Sequence, residues 1–143
     1  MSDGAKPGDG ERRAFHHGGR RIVQVDSVTQ VRGEDAGAVV VTGSHGGISS
    51  GRYAAAVRGL LYAFNDAGVG KGGAGIAALA DLDSLGIAAV AVGHDTARIG
   101  SARETWDGRI AHANGAAAAL GIVAGSRLAD AVERLTALPA GGS

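Results

Sequence analysis

Three short apolar runs stand in the middle of the chain, each free of polar alternation and each ending on a polar pair. Residues 38–42 (AVVVT) lead into Gly43-Ser44-His45-Gly46-Gly47. Residues 60–64 (LLYAF) lead into Asn65-Asp66-Ala67-Gly68, and residues 87–92 (IAAVAV) into Gly93-His94-Asp95. Unbroken runs of this length suit strands covered on both faces, as in parallel sheets sandwiched between helices.

Helical spacing fills the intervals. Ser50 is placed to cap a short helix over 51–58 that Gly59 closes. Ile76, Leu79, Leu82 and Leu85 recur at helical spacing before Gly86. Ser101 and Glu104 have capping-box spacing and predict a helix running to about Leu120. Ser126 is placed to cap a last helix with Leu128, Val132, Leu135 and Leu138 inward and Pro139 as its end. Tyr53, Val57, Leu60, Leu61 and Phe64 also fit one long helix over 50–67. Gly59 favours helix and then strand, because it breaks the run where a crossover must turn.

Before these elements, residues 1–12 carry no apolar pattern and read as a flexible leader. From residue 13 the chain is strand-like, and Gly18-Gly19 is suited to the turn of a hairpin. The expected fold is one α/β domain over residues 13–143. It is a three-layer, Rossmann-like sandwich on a mostly parallel sheet of about four to five strands, with an N-terminal hairpin possible.

Composition narrows the function. The chain has 143 residues, no cysteine and a formal net charge of zero, with 26 glycines. Disulfide and thiolate chemistry are excluded, and a broad electrostatic footprint for nucleic acid is absent. No apolar run is long enough for a membrane span, so a cytoplasmic protein without nucleic-acid or membrane partners is expected. Glycine at this level lets backbone approach backbone or ligand closely.

In a parallel sheet the three polar pairs fall along one edge, where α/β folds bind ligands. His45 and His94 are therefore the acid/base candidates, with Asp66 and Asp95 to orient or assist them. Ser44, Asn65, Gly70, Lys71, Gly72, Arg98 and Arg103 are candidate substrate-binding residues. Lys71 and the two arginines supply positive charge, and the glycine-rich loop supplies amides for an anion. Glu104 is accounted for by its capping role, and Trp106 is expected at the edge of the crevice or at an interface.

The loop at 68–75 also fits G-x-G-x-x-G through Gly68, Gly70 and Gly73, with Asp95 22 residues beyond Gly73. Its polar entry and the short chain argue against a nicotinamide dinucleotide, and the absence of Ser or Thr after Lys71 argues against a Walker loop. Ligand types for a divalent metal occur at His45, Asp66, His94 and Asp95, without short metal-binding spacing, so no metal site and no cofactor is favoured. Gly108, Ala111, Gly115 and Ala118 would share one stripe of the helix expected after Ser101, a close-packing surface compatible with a homo-oligomer. The expectation is a small-molecule enzyme, a hydrolase of a small carboxylate or carboxamide working by histidine acid/base chemistry. A lyase or isomerase using the same groups and a non-catalytic nucleotide- or metabolite-binding module are the alternatives.

Overall fold

A computed structural model describes residues 11–17 and 19–137. Most of the leader, Gly18 of the hairpin turn, and Leu138 with Pro139 lie outside the described residues. The chain forms an α/β sandwich on a mixed, mostly parallel sheet of six strands in the order β1-β2-β3-β4-β5-β6. The strands are β1 (Arg12–His17), β2 (Arg20–Val25), β3 (Val39–His45), β4 (Leu61–Asn65), β5 (Ala89–Val92) and β6 (Ile110–Ala113). β2 to β5 are parallel neighbours, and the antiparallel strands β1 and β6 close the two ends.

The three central apolar runs are strands, and 60–64 belongs to β4 rather than to a long helix. Alternation along each strand sends side chains to opposite faces. Val39, Val41, Leu61, Ala63, Val90 and Val92 join one core layer, and Val40, Tyr62, Phe64, Ala89 and Ala91 the other. Because strand order equals chain order, connections of constant hand fall on one face. Accordingly α1 (Ile48–Ala56) and α2 (Ala77–Ser84) pack together over the second layer. The helices after β5, namely α3 (Ala102–Asp107), α4 (Gly115–Ala119) and α5 (Leu128–Ala137), follow the strands on the other face; Leu128, Val132 and Leu135 of α5 are buried there as their spacing implies.

Two local expectations are corrected. The helix begun at Ser101 stops at Asp107, and residues 110–113 are the sixth strand. An added Cβ on Gly108 would collide with Val92 Cγ1, and Ile110 is buried beside β5, whose open edge it closes. Tertiary pairing thus overrides an alanine-rich helical pattern, and the small-residue stripe of 108–118 is not a helical face. The second correction concerns the start of α1, which is capped by Gly47 and not Ser50. The Ser50 hydroxyl instead donates to the His45 carbonyl at 2.7 Å.

The leader also yields its last residue to the fold. Arg12 opens β1 and makes a two-pronged contact with Asp35, 2.8 Å for each N–O pair. Arg21 Nη1 adds a third bond at 3.0 Å and the Arg32 amide a fourth at 2.9 Å. Burial by itself raises the Asp35 pKa, but these donors outweigh it and bring it down to about 2. The carboxylate ties the terminal hairpin to the one-turn 3-10 helix Gly33–Asp35. No helix among the described residues is long and apolar enough to cross a membrane.

Candidate functional site

The carboxyl ends of β3, β4 and β5 lie side by side. His45 is in register with Asn65, and Asn65 with Val92. The ladder continues one step further, with the Gly46 amide donating to Asn65 O at 3.1 Å and the Asp66 amide to Val92 O at 2.8 Å. Residues 45, 66 and 94 therefore leave the sheet on one edge. With strands about 4.8 Å apart, the ends of β3 and β5 are roughly 10 Å from each other.

Asp66 and His94 form the best-defined unit on this edge. One carboxylate oxygen, Asp66 Oδ1, lies 3.2 Å from His94 Nδ1 and accepts from the amides of His94 at 2.9 Å and Gly68 at 2.8 Å. The Asp66 side chain is 8% exposed and the His94 side chain 58%. Burial would raise the Asp66 pKa, yet the two amides and the imidazole together hold it below the usual carboxylate range. An ionised Asp66 accepts a proton-bearing Nδ1, which leaves the His94 Nε2 lone pair for a ligand.

The loop over 67–75 runs along the edge from one histidine to the other. It starts against His94, where a Cβ on Gly68 would lie 3.5 Å from the imidazole Cε1. It ends against the β3 side, where a Cβ on Gly46 would lie 2.9 Å from Gly75 O. His45 stands there over Gly47, whose added Cβ would lie 2.7 Å from the imidazole Nε2. A side chain on Gly75 would collide with the Asp66 carbonyl oxygen, so this close approach requires glycine. The backbone has positive φ at four successive residues: 52° at Ala67, 75° at Gly68, 67° at Val69 and 74° at Gly70.

Most amides of this loop point inward. Val69 donates to Asp66 O at 2.6 Å, Gly70 to Gly68 O at 2.8 Å and Gly75 to Val69 O at 2.6 Å. Gly73 donates to Gly70 O at 3.3 Å. Lys71 and Gly72 are both exposed at the start of the 3-10 turn that follows. The Gly47 cap of α1 makes no side-chain bond to the first-turn amides, so that helix adds further donors at the His45 end. Ser49, exposed in this first turn, escaped the sequence reading. The signal was Gly46-Gly47 before Ile48, since glycine also serves as a helix N-cap.

The loop over 93–101 crosses the edge like a strap. The Ala97 carbonyl accepts from Asn65 Nδ2 at 2.8 Å, the Gly100 amide donates to Gly43 O at 2.7 Å, and the Ala102 amide reaches Asp26 Oδ1 at 2.9 Å. An irregularity in β3 between Val41 and His45 makes room for it. Gly43 is required there, because a Cβ would meet the backbone of Gly100 and Ser101.

The sequence-derived residues therefore divide. His45, Asp66, His94, Gly70, Lys71 and Gly72 share the edge and the loop that spans it. Asn65 is buried with both ends of its amide engaged, Oδ1 accepting from the Ala67 amide at 2.8 Å, and it builds the site without facing it. Ser44 Oγ accepts the Val28 amide at 2.9 Å, away from the histidines. Asp95 is exposed, folds back over Gly93 and makes no hydrogen bond to either histidine. Arg98, on the strap, is 83% exposed and held by Glu104 at 3.0 Å. Arg103 turns toward the terminal hairpin and Glu11, 3.4 Å away. Trp106 packs edge-on against Phe15 and His17 of β1, at 5.7 and 5.9 Å. No three His, Asp or Glu side chains converge for a metal ion among the described residues.

No family model, curated protein or solved structure matches the chain.

Proposed function

We propose that this edge is the active site of a small-molecule hydrolase acting on a small carboxylate or carboxamide. The observation that carries the reading is the pairing of an exposed imidazole, His94, with a buried, ionised carboxylate, Asp66. Such a pair fixes the tautomer of the imidazole and stabilises its protonated form as a proton is taken up. His94 Nε2 would draw the proton from a water as that water attacks the substrate carbonyl. The amides of the exposed residues Lys71 and Gly72 would serve the developing oxyanion. Lys71 supplies charge for a substrate carboxylate. His45 stands across the loop, with the ends of β3 and β5 roughly 10 Å apart. His45 would give a proton of its own to the leaving group, and exchange with bulk water would then strip the proton from His94 and replace the one His45 has lost.

The test begins with a thermal-shift screen of small carboxylates and carboxamides. A ligand present at 100 times its dissociation constant adds about 2.7 kcal/mol of stability. Compounds that bind are then assayed for hydrolysis with the parent protein and with His94→Gln. Hydrolysis that falls by about 10²-fold or more in the variant supports the reading. Ligands that bind equally to both proteins and are never hydrolysed would make this a binding module instead.

A further inference from the structure

Away from the histidine edge, α1 and α2 leave a groove of about 250 Å³ between them. Its floor is made of Gly51, Ala55 and Leu82, and its walls carry Ile48 and Leu85, which remain 56% and 46% exposed. The two helices approach closely, since a Cβ on Gly51 would lie 3.0 Å from Ala78 Cβ. Arg52 lines the groove from α1 and Asp81 from α2. Both side chains are exposed, and neither has an ion-pair or hydrogen-bond partner among the described residues.

We infer that this groove is a homodimer interface, in which a second copy of the chain seats the same α1–α2 face against it. The charge pattern argues for a second copy over other occupants. A two-fold axis running along the groove exchanges the two helices, so that α1 of one copy lies over α2 of the other. The contact of Gly51 with Ala78 sets α1 and α2 in register. At 1.5 Å per residue, Arg52 and Asp81 then lie within about one helical turn of each other along the groove. The same axis brings Arg52 of each copy to Asp81 of the other, forming two ion pairs around the apolar floor. Ile48 and Leu85 lose their solvent exposure against the small residues of the opposite helices. An occupant carrying charge of a single sign would leave one of these two groups opposed.

Charge reversal tests the arrangement. Sedimentation equilibrium of the full chain, across a concentration series, should show a reversible dimer. Arg52→Asp alone, and Asp81→Arg alone, should each raise the dimer dissociation constant by about 10-fold or more, because like charges then face each other. The double variant should restore dimerisation. Leu85→Asp, a change at an exposed position, should also give a monomer, and circular dichroism should show all variants folded. A parent protein that stays monomeric throughout, a dimer insensitive to these changes, or a double variant that does not recover would each overturn the inference.

Discussion

Asp66 Oδ1 accepts from both the backbone and the ring of His94, at 2.9 Å from its amide and 3.2 Å from its Nδ1. The two contacts fix the position of the histidine and the direction of its ring together. Asp66→Asn keeps the shape but removes the charge that stabilises a protonated imidazole. On a substrate found by screening, kcat should fall by about 10²-fold with a smaller change in KM. Ring-nitrogen NMR should show the Nδ1–H form of His94 losing population. A variant with unchanged kcat would reduce Asp66 to a loop-capping residue.

Acid stability should report on Asp35. Its carboxyl has a lower pKa in the folded protein, about 2, than the ordinary 3.8, so its contribution is complete above the ordinary value and disappears as the pH falls through the folded one. The difference corresponds to about 2 kcal/mol. Urea midpoints measured from pH 6 down to about pH 2 should therefore decline, with a shallower decline in Asp35→Asn. At neutral pH, Arg12→Ala leaves the buried carboxylate short of its forked partner and should destabilise by about 3 kcal/mol or more.

Asn114 fastens β6 and α4 to the helix on the opposite face. Its Nδ2 donates to Leu79 O at 3.0 Å and Ile87 O at 2.9 Å, and its Oδ1 accepts the amides of Ala89 at 3.1 Å and Ala117 at 2.9 Å. Asn114→Ala removes four hydrogen bonds to buried backbone groups, so a loss of about 2–4 kcal/mol in denaturant unfolding is expected. A loss below about 0.5 kcal/mol would mean that these groups find other partners.

Val69 holds a positive φ of 67°, a conformation that a β-branched residue adopts only under constraint. Val69→Gly should relieve about 1–2 kcal/mol of local strain against a smaller entropic penalty for glycine. The melting temperature should rise by a few degrees. If the strain fixes the conformation of the loop at Lys71 and Gly72, turnover should fall in the same variant. Added stability with unchanged turnover would leave the strained loop without a catalytic part.

The sheet was legible because burial on two faces writes itself into unbroken runs such as 87–92, and the glycines after them marked where each strand ends. The convergence of residues 45, 66 and 94 at one edge followed from the same parallel arrangement. Residues 101–120 were harder. Their alanines favour a helix, and only the open edge of β5 and the contact of Gly108 with Val92, both distant in sequence, call for a strand. The partners of Arg103 and Asn65 were illegible for a related reason. Residue type announced a binding group, but the fold gave Arg103 to Glu11 and Asn65 to the strap backbone. Asp35 stood in a polar stretch with nothing nearby to reveal that two arginines from the terminal hairpin would close on it.

The strap from Gly93 to Ser101 has a consequence for biosynthesis. The strands lie in the order in which a ribosome releases them, so each newly made strand can dock on the one before it. The bonds that brace the histidine edge, from Ala97 to Asn65, Gly100 to Gly43 and Ala102 to Asp26, arise only after the fifth strand has emerged. A nascent chain can thus own most of its sheet before it owns a finished site, and premature termination before residue 97 would yield a partial scaffold with no braced edge.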